Sequence, residues 1–228
     1  MILFAHGEDA YQVRDKANQV IGKAVAQGMP EDAVVRIDAA EATLPDYQQA
    51  LAGGSLFSAR QVVVIRNLLS APADLTENVL PLLKTVPEDT IVMVAELGKP
   101  DRRKSAFKAL QALASKEWEF PLLNETAAVR WLGAVARDRG VSLGPGAAQA
   151  LVSRAGTDGW TLSTELDKLA HAGAGPVTAR QVHDLVTADL TGDVFELVDS
   201  LGRRDAARAL TAWSGLMAAG EPPLRVLA

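Results

Sequence analysis

Apolar and polar positions follow two different periods along this chain, and the change between them divides it. Ile2 to Ala5 is a short apolar run that ends at Gly7 and predicts a buried strand. From Asp9 to about Gly28 the period turns helical. Val13, Ala17, Val20, Ile21 and Ala24 share one face, and Gly28-Met29-Pro30 stops the pattern. Val34 to Ile37 predicts a second strand, and a short helix around Pro45 to Leu51 leads to Gly53-Gly54. Gln61 to Arg66 is the most strand-like segment by its β-branched content. Asp74 to Leu83 predicts a helix with Leu75, Val79 and Leu82 on one face. Thr90 to Ala95 predicts a fourth strand, apolar on both faces. Asp101 to Ala114 follows as a helix with a basic start, and Glu117 to Phe120 as a fifth strand. Strands alternating with helices imply an α/β fold, with a parallel sheet covered on both faces.

After Pro121 the strands stop. Asn124 caps a predicted helix running to about Arg139, with Val129, Leu132 and Ala136 on its stripe. Gly144-Pro145 opens another, closed between Gly156 and Gly159. Leu162, Leu166 and Leu169 mark a third, ended by Gly173 and Gly175. Thr178 and Gln181 form a capping box, each side chain meeting an orphan backbone donor. The helix they open turns Val182, Leu185 and Val186 inward. Thr191-Gly192 reads as a small hinge-like break. One helix follows through Val194, Leu197, Val198 and Leu201, another from Asp205 to Ala219, and a last turn begins at Pro222-Pro223. The expected domains are therefore residues 1–123 (α/β), 124–189 (helical) and 190–228, the opening of an incomplete helical domain.

Composition narrows the chemistry. The chain has 228 residues, 48% hydrophobic and 22% charged, which excludes a disordered chain. It has no cysteine, which removes disulfides, thiol catalysis and iron–sulfur clusters. His6, His171 and His183 show no metal-ligand spacing, so no metal site is expected. The net charge is −5 and both halves are charged alike, so contact with nucleic acid would need a local patch or a complex. No apolar run reaches the ~18 residues of a membrane span, and Met1 to Ala5 lacks the features of a signal peptide. A cytoplasmic protein is the expectation.

A phosphate-binding loop after the first strand needs several glycines, a lysine and a hydroxyl. The turn here is Ala5-His6-Gly7-Glu8-Asp9-Ala10-Tyr11, with one glycine, no lysine and two acids where phosphates would lie. Those acids suit the positive end of a helix dipole instead. Gly22-Lys23 lies mid-helix and lacks the upstream glycine. Glu96, after the fourth strand, stands where an ATPase would want an acidic pair for magnesium and water, and a solvated strand end explains it equally well; His6 reads as a structural histidine. No nucleophile elbow, zinc motif or triad is present, so no catalytic residue and no cofactor are expected.

Leu56 and Phe57 stand side by side among glycines, serines and alanine. Adjacent side chains point in different directions, so one core face can hardly bury both. One reading has them project as an anchor for a partner's pocket. In the other, Phe57 packs beside Val62 and Leu56 under the preceding helix. Arg102, Arg103 and Lys104 form the tightest basic cluster. It is either a DNA contact or a solvated face, since cations at a helix start oppose the dipole. Trp118, Trp131, Trp160 and Trp213 are dispersed and read as core or junction residues rather than a stacking platform.

The ordered series of motifs resembles the delta subunit family of the bacterial DNA polymerase III clamp loader. It comprises Gly7 to Tyr11, Ser55 to Arg60 followed by Val62 to Ile65, and Lys99 to Lys104. Glu165 to Leu169, Val194-Phe195 with Ala206 to Leu210, and Gly220 to Leu224 complete it. The resemblance implies an AAA+-like domain with a degenerate phosphate loop, a helical lid and the first helices of a helical collar. It implies that Leu56 and Phe57 enter a hydrophobic pocket on the ring-shaped sliding clamp (beta), and that the chain opens the ring without hydrolysing ATP. The implied partners are the tau/gamma and delta prime subunits, with primer–template DNA reached through the complex, and no membrane. The chain would then be a component of the polymerase holoenzyme. An ATPase with an atypical phosphate loop and a helical adaptor with another partner are the alternatives.

Overall fold

The computed structural model describes residues 1–53, 60–173, 175–187 and 191–218. The chain divides into two compact units, Met1–Leu122 and Leu123–Ala228. In the first, β1 (Ile2–Gly7), β2 (Val34–Asp38), β3 (Gln61–Arg66), β4 (Thr90–Leu97) and β5 (Lys116–Glu119) form one sheet. Its order is β2-β3-β4-β1-β5, and every pairing is parallel. The helices are α1 (Ala10–Ala26), α2 (Leu44–Leu51), α3 (Ala73–Lys84) and α4 (Ser105–Leu113).

The parallel ladder explains why the central strands are apolar on both faces. One face packs Phe4, Val63, Ile65, Val92 and Val94 against Tyr47, Val79, Leu83 and Leu110. The other packs Leu3, Ala5, Val62, Val64 and Met93 against Val13, Ala17 and Ala24 of α1. Alternate side chains of one strand thus serve two cores, each covered by helices.

Among its described residues the second unit is built of helices, with an isolated parallel β-bridge between Leu143 and Val177. The helices are α5 (Glu125–Asp138), α6 (Ala147–Ala155), α7 (Gly159–His171) and α8 (Ala179–Leu185), followed by α9 (Thr191–Gly202) and α10 (Ala206–Ala218). Local chemistry sets the starts. The Asn124 side chain accepts from the Ala127 N–H at 2.9 Å, Asp158 accepts from Thr161 at 2.8 Å, and Thr178 and Gln181 close the expected capping box. Leu132, Leu151, Leu162, Leu166 and Val182 share one core. Leu197, Ala209, Ala212 and Leu216 form a separate one between α9 and α10.

Several details depart from the sequence reading. Thr191 and Gly192 are not a break but the first turn of α9. Leu185 is exposed, because α8 ends there and Val182 and Val186 fill the core. The exposure of Val198 and Leu201, by contrast, agrees with apolar stripes that no other segment of the sequence covers, since α10 covers only the Leu197 side of α9. Trp160 is exposed rather than core, whereas Trp131 and Trp213 pack on the edges of their clusters. The segment from Pro222 lies outside the described residues.

Candidate functional site

In a parallel α/β sheet the carboxyl ends of the strands are the ordinary place for a ligand. Here the chain occupies part of that place itself, and a pocket of about 660 Å³ lined by Gly7, Glu8, Lys99, Arg102, Arg103 and Glu119 stays open beside it. Gly7 ends β1 at φ +144°, and a Cβ on it would stand 2.1 Å from the Phe120 carbonyl oxygen. That carbonyl accepts from the Asp9 N–H at 3.0 Å, and the Phe120 N–H donates to His6 at 2.8 Å. The Asp9 carboxylate then accepts from the Gln12 N–H and side-chain amide, both at 2.9 Å. Two donors that could face an anion at the start of α1, the N–H groups of Asp9 and Gln12, are thus bonded to the chain's own carbonyl and carboxylate. Gly7→Ala is expected to cost upwards of about 3 kcal/mol, because the clash is with backbone and the conformation is strained. Chemical denaturation measures it.

Beside this turn His6 is buried between the rings of Phe4 and Phe107, with centroids 4.7 and 5.3 Å away. Its Nε2 meets a Glu117 carboxylate oxygen at 2.9 Å, which makes it the expected structural histidine. Burial raises the Glu117 pKa, but hydrogen bonds from Gln111 and His6 outweigh that and hold it below the usual carboxylate range.

Glu96 corrects the sequence reading outright. It is 2% exposed, not a solvated strand end. Its Oε1 accepts from the Leu69 N–H at 2.8 Å, so the end of β4 is tied to the turn that follows β3. Burial pushes its pKa up to about 7, against the pull of the Leu69 and Leu68 backbone hydrogen bonds. A cavity of about 270 Å³ opens beside it, lined by Ser70, Lys99, Asp101, Lys104 and Phe107.

The basic cluster lies before α4, not in its first turn. Asp101 accepts from the Arg103 N–H at 3.0 Å and so turns the chain, and Lys104 is extended. The helix begins only at Ser105, so Lys104 stands at its N-cap, where its charge still opposes the dipole. Arg102 pairs with Glu119 and lies 5.9 Å over the Phe107 ring, and Arg103 pairs with Asp101 at 3.1 Å. Among the described residues Lys104 keeps no ion pair.

Leu56 and Phe57 lie outside the described residues, but both flanks of their segment are fixed. After α2, Gly53 has φ +92°, and a Cβ there would meet the Pro87 Cγ at 2.7 Å. At the start of β3, buried Gln61 donates from Nε2 to the Ala50 carbonyl at 2.8 Å, and its N–H donates to Asp89 at 3.3 Å. Gln61 thus ties the end of α2 to the entry of β3. The sequence reading gave it no role, although a lone polar residue heading an apolar run was a visible signal. These flanks stand at the amino ends of β3 and β4, the edge of the sheet opposite Gly7 and Glu96.

The model of the family described as DNA polymerase III, delta subunit, matches residues 3–117. The chain belongs to this family. Membership places it among the clamp-loader proteins of DNA replication and implies a complex with other clamp-loader subunits. Among curated proteins no sequence matches it. The solved structures similar to the delta-family chain include the DNA clamp loader delta protein of Bacillus subtilis. That match has TM-score 0.66 and 20% identity, covering 99% of this chain and 69% of that one. The RuvB Holliday junction branch migration motor of Thermotoga maritima matches with TM-score 0.55 and 11% identity, covering 87% and 67%. At such identities the likeness is one of fold. The parallel sheet followed by helices is α/β, as the sequence pattern implied, and AAA+-like, as the family resemblance implied. No helix among the described residues is long and apolar enough to cross a membrane.

Proposed function

We propose that this delta-family chain binds the sliding clamp and opens its ring for loading onto primed DNA, without hydrolysing ATP itself. Leu56 and Phe57 are its anchors, presented between the fixed flanks Gly53 and Gln61. A subunit that binds an opened ring interface better than a closed one shifts the ring toward open by that difference in affinity. Residues 124–189 serve as the lid and 190–228 as the start of the collar that joins the chain to the tau/gamma and delta prime subunits. Primer–template DNA is met through the complex. Within the basic turn Lys104 carries most of any direct contact, because Arg102 and Arg103 are engaged by Glu119 and Asp101.

The observation that carries the non-catalytic reading is the β1–α1 turn, whose Asp9 N–H is bonded to Phe120 and whose helix start is capped by a carboxylate. Full-length chain injected over immobilised sliding clamp is expected to give saturable binding with no nucleotide present. A parallel titration with ATP is expected to give none. Micromolar ATP binding without clamp binding would instead support an ATPase. Absence of both would support an adaptor for another partner.

A further inference from the structure

In the second unit an open groove of about 830 Å³ runs along α5 and the residues after it. Its apolar lining includes the half-buried Val129, Val141 and Leu143, and Arg130 and Arg137 line it too. Both arginines are exposed, and neither has an ion-pair partner among the described residues. They are seven residues apart on one helix, so they stand on the same face roughly 10 Å apart.

Gly133 lies between them, in the interior of α5. A glycine there weakens a helix relative to alanine. No internal neighbour asks for it, because a Cβ on Gly133 would find nothing within 4 Å. The small residue therefore leaves space over the helix backbone that this unit does not itself use.

We infer that the α5 groove docks an acidic amphipathic helix of a partner protein. Two carboxylates seven residues apart on that helix would meet Arg130 and Arg137, and apolar side chains between them would enter the space over Gly133. Charge complementarity selects the sign of the partner. The apolar lining beside the cations favours a protein helix over a phosphate backbone, which would leave that surface uncovered.

The test uses the full chain and a labelled helical peptide of about 18 residues, long enough to hold a helix. The peptide carries glutamates at i and i+7 and leucines at i+3 and i+4, and a control replaces the glutamates by lysine. Fluorescence anisotropy is expected to show saturable binding of the acidic peptide and none of the control. The Arg130→Glu/Arg137→Glu variant, and separately Gly133→Phe, are each expected to weaken binding at least tenfold. Gly133→Ala is expected to raise the thermal midpoint by about 2–4 °C, since no contact is displaced. If Gly133→Phe does not fold, the arginine variant, which changes only exposed side chains, decides alone. Failure of the acidic peptide to bind, or binding indifferent to the arginine reversal, overturns the inference. Preferential binding of a DNA duplex that is lost in the arginine variant but kept in Gly133→Phe also overturns it, and assigns the arginines to phosphate.

Discussion

Replacing Leu56 and Phe57 together by alanine is expected to abolish binding to the sliding clamp while leaving the fold intact. Burying a leucine and a phenylalanine in a partner's pocket contributes roughly 1.5–3 kcal/mol each, so losing both weakens the complex about a hundredfold to ten-thousandfold. The flanks of the segment are held without the pair, by Gln61 on the Ala50 carbonyl and by Gly53 against Pro87. The thermal midpoint of the variant should therefore match that of the parent. Surface plasmon resonance on immobilised clamp, read with a melting curve, separates lost contact from lost structure. Unchanged affinity in the folded double variant would remove these residues from the site.

Glu96→Gln is expected to make the chain more stable at pH 8, with the gain shrinking toward zero near pH 5. Burial raises the Glu96 carboxyl from 4.5 to about 7 in the folded chain. Between those values the folded state holds a proton that the unfolded chain has released. Stability therefore falls as pH rises through that window and falls no further above it. The shift corresponds to roughly 3 kcal/mol, as an order of magnitude. Glutamine cannot ionise and can still accept from the Leu69 N–H, so the variant lacks this slope. Urea denaturation of both chains from pH 5 to pH 8 checks it, and parallel slopes in the two would show that Glu96 is not the group responsible.

The α/β fold, the order of its elements and most of its helix starts were legible in the sequence because they are set by local patterns. Two-faced apolar runs such as Val62 to Ile65 require a sheet covered on both sides, and Asn124 and Thr178 sit where helices need side-chain caps. The motif series from Gly7 to Leu224 also pointed to the right family. The strand order and the fate of individual polar groups were decided only by the tertiary structure, because they depend on what other segments bring. By sequence Glu96 follows the predicted strand Thr90 to Ala95 like a solvated end, yet in the structure it lies within β4 and the turn at Leu68 and Leu69 is bonded to it. Arg102 and Arg103 read as free cations until Glu119 and Asp101 are placed beside them. The turn at Gly7 lacks phosphate-loop residues by sequence alone, but that its helix start is already bonded follows from Phe120, more than a hundred residues along the chain. Burial and pairing of charge are properties of neighbours in space, and a one-dimensional pattern does not fix those neighbours.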